Sequence, residues 1–314
     1  QPGTYTLMML VGAELGRDSA IKKFGMKSKW RILPKQFGEY NGKKIFEIEQ
    51  ACVETNTMSF ESYMKCRNYN FVLQLLNHTL FRPVYKLTQR IGISWYEVSR
   101  LVTESLENKD FKNKLKDLYN EFCKESSSEC FDSQQEVIDY YKKDTNYKSL
   151  LKGEIGENLL AKYTSKGVFI YKDIIGAIFY VLRNKAKLKQ SKRLNTILNS
   201  SETWLKNIYM IDELFSNGKN SKVNVNNVKE KNHQVNLSFN FPSWLAKSEL
   251  PFENFIEESI YEIICDKKKI NSMLKELDSS APTIETDEAR INDRLIRALV
   301  HGSSMVEKDY RRLN

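Results

Sequence analysis

The run Thr4-Tyr-Thr-Leu-Met-Met-Leu-Val11 is the stretch from which the fold of this chain is predicted. It is short and almost entirely apolar, which is typical of a strand buried on both faces, as in a parallel sheet. Gly12 ends the run. The charged stretch Glu14–Phe24 then has the length of a helix, and Gly25 follows where helices commonly end. This start predicts a strand followed by a helix, as in an α/β fold.

Two more extended segments follow this helix. Trp30–Phe37 predicts a strand or extended arm, and Pro34 keeps it out of a sheet interior because proline cannot donate to a strand ladder. Asn41-Gly42 is a turn signal, and Lys44–Val53 predicts the next strand. The polar run Glu54–Ser59 is typical of the N-cap region of a following helix.

Four motifs occur in roughly residues 1–70. They are Leu10-Val-Gly-Ala-Glu-Leu15, Lys23-Phe-Gly-Met26, Arg31-Ile-Leu-Pro-Lys-Gln-Phe-Gly-Glu-Tyr40, and Thr55-Asn-Thr-Met-Ser-Phe60 with Tyr63 and Arg67. In this order they resemble the region just after the catalytic core of one enzyme family, the radical S-adenosylmethionine (SAM) proteins with an N-terminal cobalamin-binding domain. Members often have Leu-Pro-Gly-Thr-Glu-Leu at the first motif, where this chain has Val11 for the proline and Ala13 for the threonine.

The resemblance implies that residues 1–59 are the end of a (β/α)6 radical SAM barrel and its extension, in a chain that is α+β overall. Active sites of such barrels lie at the C-terminal ends of the strands. In the family, the backbone at the end of the last barrel strand lines the adenine side of SAM. By position, the corresponding residues of this chain are Leu10, Val11 and Gly12. Gly12 has no side chain and permits close backbone approach. An ordinary strand-to-helix turn is the alternative.

Thr55, Asn56 and Ser59 are the candidate residues on the substrate side. They lie in a run dense in hydrogen-bonding groups, where the chain leaves the barrel-like part. The alternative is that their side chains only form a turn and a helix N-cap.

The cysteines of this chain lack the family's cluster signature, Cys-x3-Cys-x2-Cys. They are too dispersed for three thiolates to be expected at one cluster: Cys52, Cys66, Cys123, Cys130 and Cys265. Their spacing also indicates reduced thiols and a cytoplasmic protein. If the resemblance holds, the chemistry resides upstream of residue 1.

The chain is therefore expected to be the C-terminal portion of a longer enzyme, since it begins with Gln1 and its first strand has no partner before it. In the full-length protein the cofactors would be SAM, a 4Fe–4S cluster and, for methyl transfer, cobalamin. The chain alone is expected to bind none of them and to be inactive. Its partners would be the upstream part of the polypeptide, an electron donor and a substrate that the sequence does not name.

Composition leaves a second function open. The 314 residues carry a net charge of +9, are 41% hydrophobic and contain no apolar run long enough to span a bilayer. Most lysines are interleaved with glutamate, so nucleic acid is not indicated. The segment Arg183–Arg193, however, has six basic residues and no acid. The alternative function is a non-catalytic helical module that contacts an acidic partner through this segment, which could equally be a favourable helix C-terminus.

Downstream of Phe60 the pattern divides into a helical region at 60–215, a loop or linker at 216–234, and a strand plus helices at 235–314. In the capping-box pattern of Ser94 and Glu97, the serine would cap a helix that begins at Trp95. Other predicted helices are 111–124, 134–143, 172–188, 202–215, 252–265, 267–277 and 287–300. Val235–Phe241 alternates as a half-buried strand does, and the tail after Gly302 is expected to fray.

No catalytic constellation appears in the sequence. His78, His233 and His301 have no partner at metal-ligand spacing. Glu47 and Glu49 share one strand face. A solvated strand face is the simpler interpretation, and a functional carboxylate pair is the alternative.

Overall fold

A computed structural model describes residues 6–189, 191–214, 232–266, 268, 272 and 307–314. The chain is a mixed α+β protein with small antiparallel sheets, and the described residues contain no closed barrel. It forms two compact units, each made of two separate stretches of chain. The first comprises the residues up to Phe71 together with Asp117–Tyr163, and the second comprises Val72–Lys116 and the residues from Thr164 onward.

A long β-hairpin dominates the first unit. Its strands are β1 (Lys27–Tyr40) and β2 (Lys43–Glu54), which pair antiparallel. Asn41 and Gly42 form the predicted turn with φ values of 49° and 71°, the conformation of tight hairpin turns. The pairing shifts between Ile32 and Phe37, where Pro34 cannot donate to the ladder. Both predicted strands and their turn are confirmed.

The segment before the hairpin differs from its prediction, and its residues 1–5 lie outside the described part. Residues 7–9 are extended but lie antiparallel against β2. The Met9 amide donates to the Gln50 carbonyl at 2.8 Å, and the Cys52 amide donates to the Leu7 carbonyl at 2.8 Å. Leu10 is 63% exposed. The prediction of a parallel strand buried on both faces is wrong for residues 6–11, because apolar composition alone does not fix the direction of pairing or the number of covered faces.

Six helices lie wholly or partly in the first unit. The predicted helix after Gly12 consists of a short 3-10 turn (Glu14–Gly16) and α1. Gly25 ends α1 in the left-handed conformation, as predicted. One core cluster of this unit contains Ile32, Val137, Tyr141, Tyr147 and Leu150, and another contains Ala51, Val53 and Tyr63. The helices are α1 (Asp18–Phe24), α2 (Phe60–Leu76), α5 (Lys114–Ser128), α6 (Gln134–Lys142), α7 (Asp144–Leu151) and α8 (Leu159–Val168).

In the described part of the second unit, helix α9 (Tyr171–Asn184) lies in the core, since its residues from Ile174 to Leu182 are mostly buried. Helices α4 and α10 contact it directly. The helix predicted at 202–215 begins ten residues earlier, at Lys192, where Ser191 caps it. The helices are α3 (Arg82–Arg90), α4 (Trp95–Glu107), α9 (Tyr171–Asn184), α10 (Lys192–Ile208), α11 (Ile211–Leu214) and α12 (Phe241–Ala246).

A three-stranded antiparallel sheet completes the described part of the second unit. Its strands, in spatial order, are β3 (His233–Leu237), β4 (Ser259–Ile264) and β5 (Asp309–Arg312). The helix predicted at 252–265 is wrong: a 3-10 turn at Phe252–Phe255 is followed by β4, along which alternate residues are buried. The fraying predicted for the tail is also wrong, because residues 309–312 pair with β4.

Several predictions fall on residues outside the described ranges. They are most of the 216–234 linker, all of the 267–277 helix except positions 268 and 272, and the helix at 287–300. Within the described ranges, no helix has both the length and the apolar composition needed to cross a bilayer.

Ser94→Ala is expected to lower the free energy of unfolding by about 1 kcal/mol. The Ser94 hydroxyl accepts the Glu97 amide at 3.1 Å as the predicted N-cap of α4, and alanine leaves that amide without its protein partner. Urea unfolding followed by circular dichroism measures the change. The matched control is Ser127→Ala on the exposed surface of α5, expected to stay within about 0.5 kcal/mol. Equal losses in the two variants would contradict the capping role.

Candidate functional site

The residues predicted to line SAM form an exposed turn. Leu10 is 63% exposed and Val11 is fully exposed, and the Leu10 carbonyl accepts the Ala13 amide at 3.1 Å. Gly12 has a φ of 85°, which glycine adopts without strain, and a methyl group built on its α-carbon would meet nothing within 4 Å. A flat ligand could therefore approach this backbone without a steric barrier.

The three residues predicted for the substrate side use their polar atoms in local structure. The Thr55 hydroxyl accepts the Thr57 amide at 3.3 Å, and the Ser59 hydroxyl accepts the Ser62 amide at 3.2 Å at the start of α2. The Asn56 side-chain amide donates to the Lys23 carbonyl at 3.2 Å. These contacts match the turn and N-cap alternative, and a role in contacting substrate stays a prediction.

The residues predicted to line SAM and the residues predicted for the substrate side lie at opposite ends of the contact between residues 7–9 and β2. Residues 7–9 run antiparallel to 50–52, so Gly12 and Thr55 lie beyond opposite ends of the paired stretch. After residue 12, helix α1 leads the chain back toward Asn56, whose backbone amide donates to the Phe24 carbonyl at 2.9 Å. Asn56 packs so closely on Gly25 that a methyl group there would lie 1.9 Å from its side-chain oxygen. The contact thus joins the end of α1, not residues 10–12, to the predicted substrate-side turn.

The densest group of ionisable side chains in the first unit surrounds Glu129, just after α5. Arg67 of α2 and Arg31 of β1 both pair with one of its carboxylate oxygens, Arg31 at 3.4 Å. Arg31 also pairs with Glu49 of β2 through its Nε atom. The side chains of Arg67 and Glu129 are only 12% and 13% exposed. We call Arg31, Glu49, Arg67 and Glu129 the Glu129 cluster.

Burial and charge act in opposite directions on this cluster. Burial raises the pKa of the Glu129 carboxyl, while the guanidinium groups of Arg67 and Arg31 favour the carboxylate. The neighbouring Cys130 thiol also has a raised pKa, caused first by burial and then by the charge of Glu129. A raised pKa disfavours the reactive thiolate. The cluster thus offers a neutralised carboxylate and a protonated thiol, which suits bracing better than acid–base chemistry.

A second group of partly buried polar contacts connects α5 to α8. Lys162 pairs with Glu125 at 2.7 Å, and the Tyr163 hydroxyl donates to the same carboxylate at 2.7 Å. Burial and this hydrogen bond raise the pKa of Tyr163, which keeps its hydroxyl protonated as a donor.

Among the described residues, no group of three or more His, Cys, Asp or Glu side chains could hold a metal ion. His78 caps a short 3-10 helix, its Nδ1 accepting the Leu80 amide at 3.2 Å, and His233 bonds Asn207 at 3.2 Å. His301 lies outside the described residues. A shallow depression beside His78 has no room for a water molecule, whereas typical ligand pockets have roughly 300 Å³ or more.

Sequence patterns missed the Glu129 cluster. Arg67 drew attention only through the family resemblance, and Glu49 only as half of a carboxylate pair with Glu47. The structure does not bear out that pair, because Glu49 turns to Arg31. Glu129 itself follows a serine run and carries no spacing signal that would place it beside Arg31 or Arg67.

The comparisons with known proteins give no assignment. No protein-family model matches this chain, and no curated protein matches it at a significant level.

Glu129→Leu is expected to lower the free energy of unfolding by about 3 kcal/mol or more, because it leaves the buried Arg67 guanidinium without its carboxylate. The double variant Arg67→Met/Glu129→Leu should recover part of this loss, since an apolar pair replaces the ion pair. Urea unfolding of both variants measures the two effects.

The control is Glu61→Leu, whose carboxylate pairs with Lys65 on the exposed face of α2 and should change the free energy of unfolding far less than Glu129→Leu does. A Glu129 variant no less stable than the Glu61 variant would show that the cluster does not brace the first unit.

Proposed function

We propose that this chain is the C-terminal, substrate-side portion of a radical SAM enzyme. The cofactors would supply reductive cleavage of SAM and, where cobalamin is bound, methyl transfer to a substrate. The residues of this chain would position the substrate and exclude water. The finer fold assignment, in which residues 1–59 complete a (β/α)6 barrel, is part of this proposal.

The observation that carries the proposal is an exposed apolar surface on the stretch that resembles the family. Five of the large hydrophobic side chains that are more than one-third exposed lie between residues 7 and 24: Leu7, Leu10, Val11, Leu15 and Phe24. We call these five residues, which are grouped by their position in the sequence, the N-terminal apolar surface. Exposed apolar side chains that recur along one stretch of chain favour a contact with another domain or protein. The occupant proposed here is the cluster-binding domain of the same enzyme.

The backbone of the same stretch supports this occupant. Residues 7–9 pair with β2 on one side, and no pairing on their other side occurs within the described residues. An open strand edge can accept a further strand. The last strand of a barrel needs such a neighbour, so the edge and the apolar side chains favour the same partner.

The described residues suit SAM better than they suit a 4Fe–4S cluster. The exposed backbone at Gly12 has room for the adenine edge of SAM. The cysteines do not fit a 4Fe–4S cluster: Cys52 and Cys265 are buried, Cys66 is exposed on α2, and no described group of residues could hold a metal. The proposal therefore assigns the cluster to residues that precede this chain in the complete enzyme.

Thr55, Asn56 and Ser59 would act on the substrate side by shaping the turn between β2 and α2. Their side chains stabilise that turn and the start of α2. The turn would hold the substrate in register with the radical and help keep water out, which contributes orientation and not proton transfer.

The test is SAM cleavage by the complete enzyme under anaerobic, reducing conditions, with 5′-deoxyadenosine quantified by mass spectrometry. Leu10→Asp/Val11→Asp places two charges on the N-terminal apolar surface and should reduce cleavage at least about tenfold by impairing the domain contact.

The matched control is Tyr40→Asp/Ile45→Asp, which adds the same charges to exposed apolar positions at the far end of the hairpin. Its cleavage should stay within about twofold of wild type. Circular dichroism checks that both variants fold. Absence of cleavage in the wild-type enzyme, or equal loss in both variants, would contradict the proposal and favour a non-catalytic helical module.

A further inference from the structure

The connection between α9 and α10 is rich in lysine. Lys185, Lys187, Lys189 and Lys192 are all exposed, and no ion pair to them occurs within the described residues. We call these four side chains the lysine surface. Residue 190, between them, lies outside the described part.

The two arginines that flank the lysine surface are already engaged. Arg183 bonds Glu202 at 2.6 Å and Asn199 at 2.8 Å, and Arg193 pairs with Glu253. Arginine forks are the groups that recognise carboxylates and phosphates in fixed geometry. The charged groups of this surface that are available to a partner are therefore the hydrated ammonium groups of the four lysines.

The neighbouring carboxylates do not neutralise these lysines. Arg100 bonds Glu97 at 2.7 and 2.9 Å and is the main cause of its lowered pKa, with Lys187 a smaller one. The pKa of Glu253 is lowered first by its hydrogen bond with Arg193, and Arg90 adds to the effect. Both of these carboxylates, Glu97 and Glu253, thus have an arginine of their own.

The two helix ends next to this segment differ in their electrostatics. Lys185 is the C-cap of α9, where positive charge is favourable. Helix α10, in contrast, has no acidic residue in its first turn and carries Lys192 and Arg193 there, at the positive end of its dipole. Helix stability therefore does not explain the charge of Lys192.

Exposed apolar side chains lie close in sequence to the two carboxylates that interact with this segment. Tyr96 is 64% exposed and precedes Glu97, and Leu250 is 36% exposed and lies three residues before Glu253. Lysine together with tyrosine and leucine is the composition of surfaces that lie in the headgroup region of a bilayer.

We propose that the lysine surface binds the headgroups of anionic lipids and holds the protein at a membrane surface. A short set of lysines without free arginines suits a diffuse layer of negative headgroups. Specific nucleic-acid sites need a larger basic surface, and acidic peptides are typically held by arginine forks. This proposal is independent of the proposed catalytic function.

The test is co-sedimentation of the protein with phosphatidylcholine vesicles prepared with or without phosphatidylglycerol. Wild type should partition onto the vesicles containing phosphatidylglycerol only, and binding should weaken steeply from about 0.1 M to about 0.5 M salt as charges are screened. The variant Lys185→Gln/Lys187→Gln/Lys189→Gln/Lys192→Gln should lose about 100-fold or more in partition coefficient.

The matched control is Lys43→Gln/Lys124→Gln/Lys142→Gln/Lys143→Gln. It removes the same number of exposed positive charges from the first unit and should retain binding within about threefold. Equal loss in the two variants would show a net-charge effect and overturn the proposal. The proposal would also be overturned if the wild-type protein does not bind vesicles that contain phosphatidylglycerol, whether or not it binds an oligonucleotide or an acidic protein in a parallel assay.

Discussion

A buried carboxylate that two guanidinium groups must neutralise is the constraint on which the first unit depends. Glu129 lies after α5, Arg31 on β1 and Arg67 on α2, so one charge fixes three segments that are distant in sequence. Beside it, Trp30 and Phe131 exchange two backbone hydrogen bonds of 2.8 and 2.9 Å. Because unpaired buried charge is costly, the hairpin cannot shift its register without breaking this set. The hairpin in turn supports both residues 7–9, which pair with β2, and the turn from Thr55 to Ser59.

Features governed by neighbouring residues could be predicted from the sequence. Asn41-Gly42 supplies the two positive φ angles of the hairpin turn, Gly25 ends α1, and Ser94 caps α4, since each depends on side chains within a few positions. Thr55 and Ser59 follow the same rule: a turn and an N-cap are one interpretation of the local sequence, and their hydrogen bonds to Thr57 and Ser62 match it.

Features decided by distant residues could not be predicted in this way. Residues 7–9 are as apolar as a central strand, yet β2 determines that they pair antiparallel on one side. The stretch 259–264 is apolar enough for either a helix or a strand, and β3 and β5 on its two sides make it a strand. The Glu129 cluster had no sequence signal because its charges converge only after three segments have packed.

The proposed function also depends on this hairpin. Residues 7–9 lie against β2, have one backbone edge that is unpaired within the described residues, and belong to a stretch with exposed apolar side chains. The described residues contain no group of side chains that could hold a metal ion. The most direct measurement is to sequence the reading frame that encodes this chain through its 5′ side. The account predicts an uninterrupted frame that encodes Cys-x3-Cys-x2-Cys upstream of residue 1. A start codon just before Gln1, or a preceding domain without that motif, would contradict it.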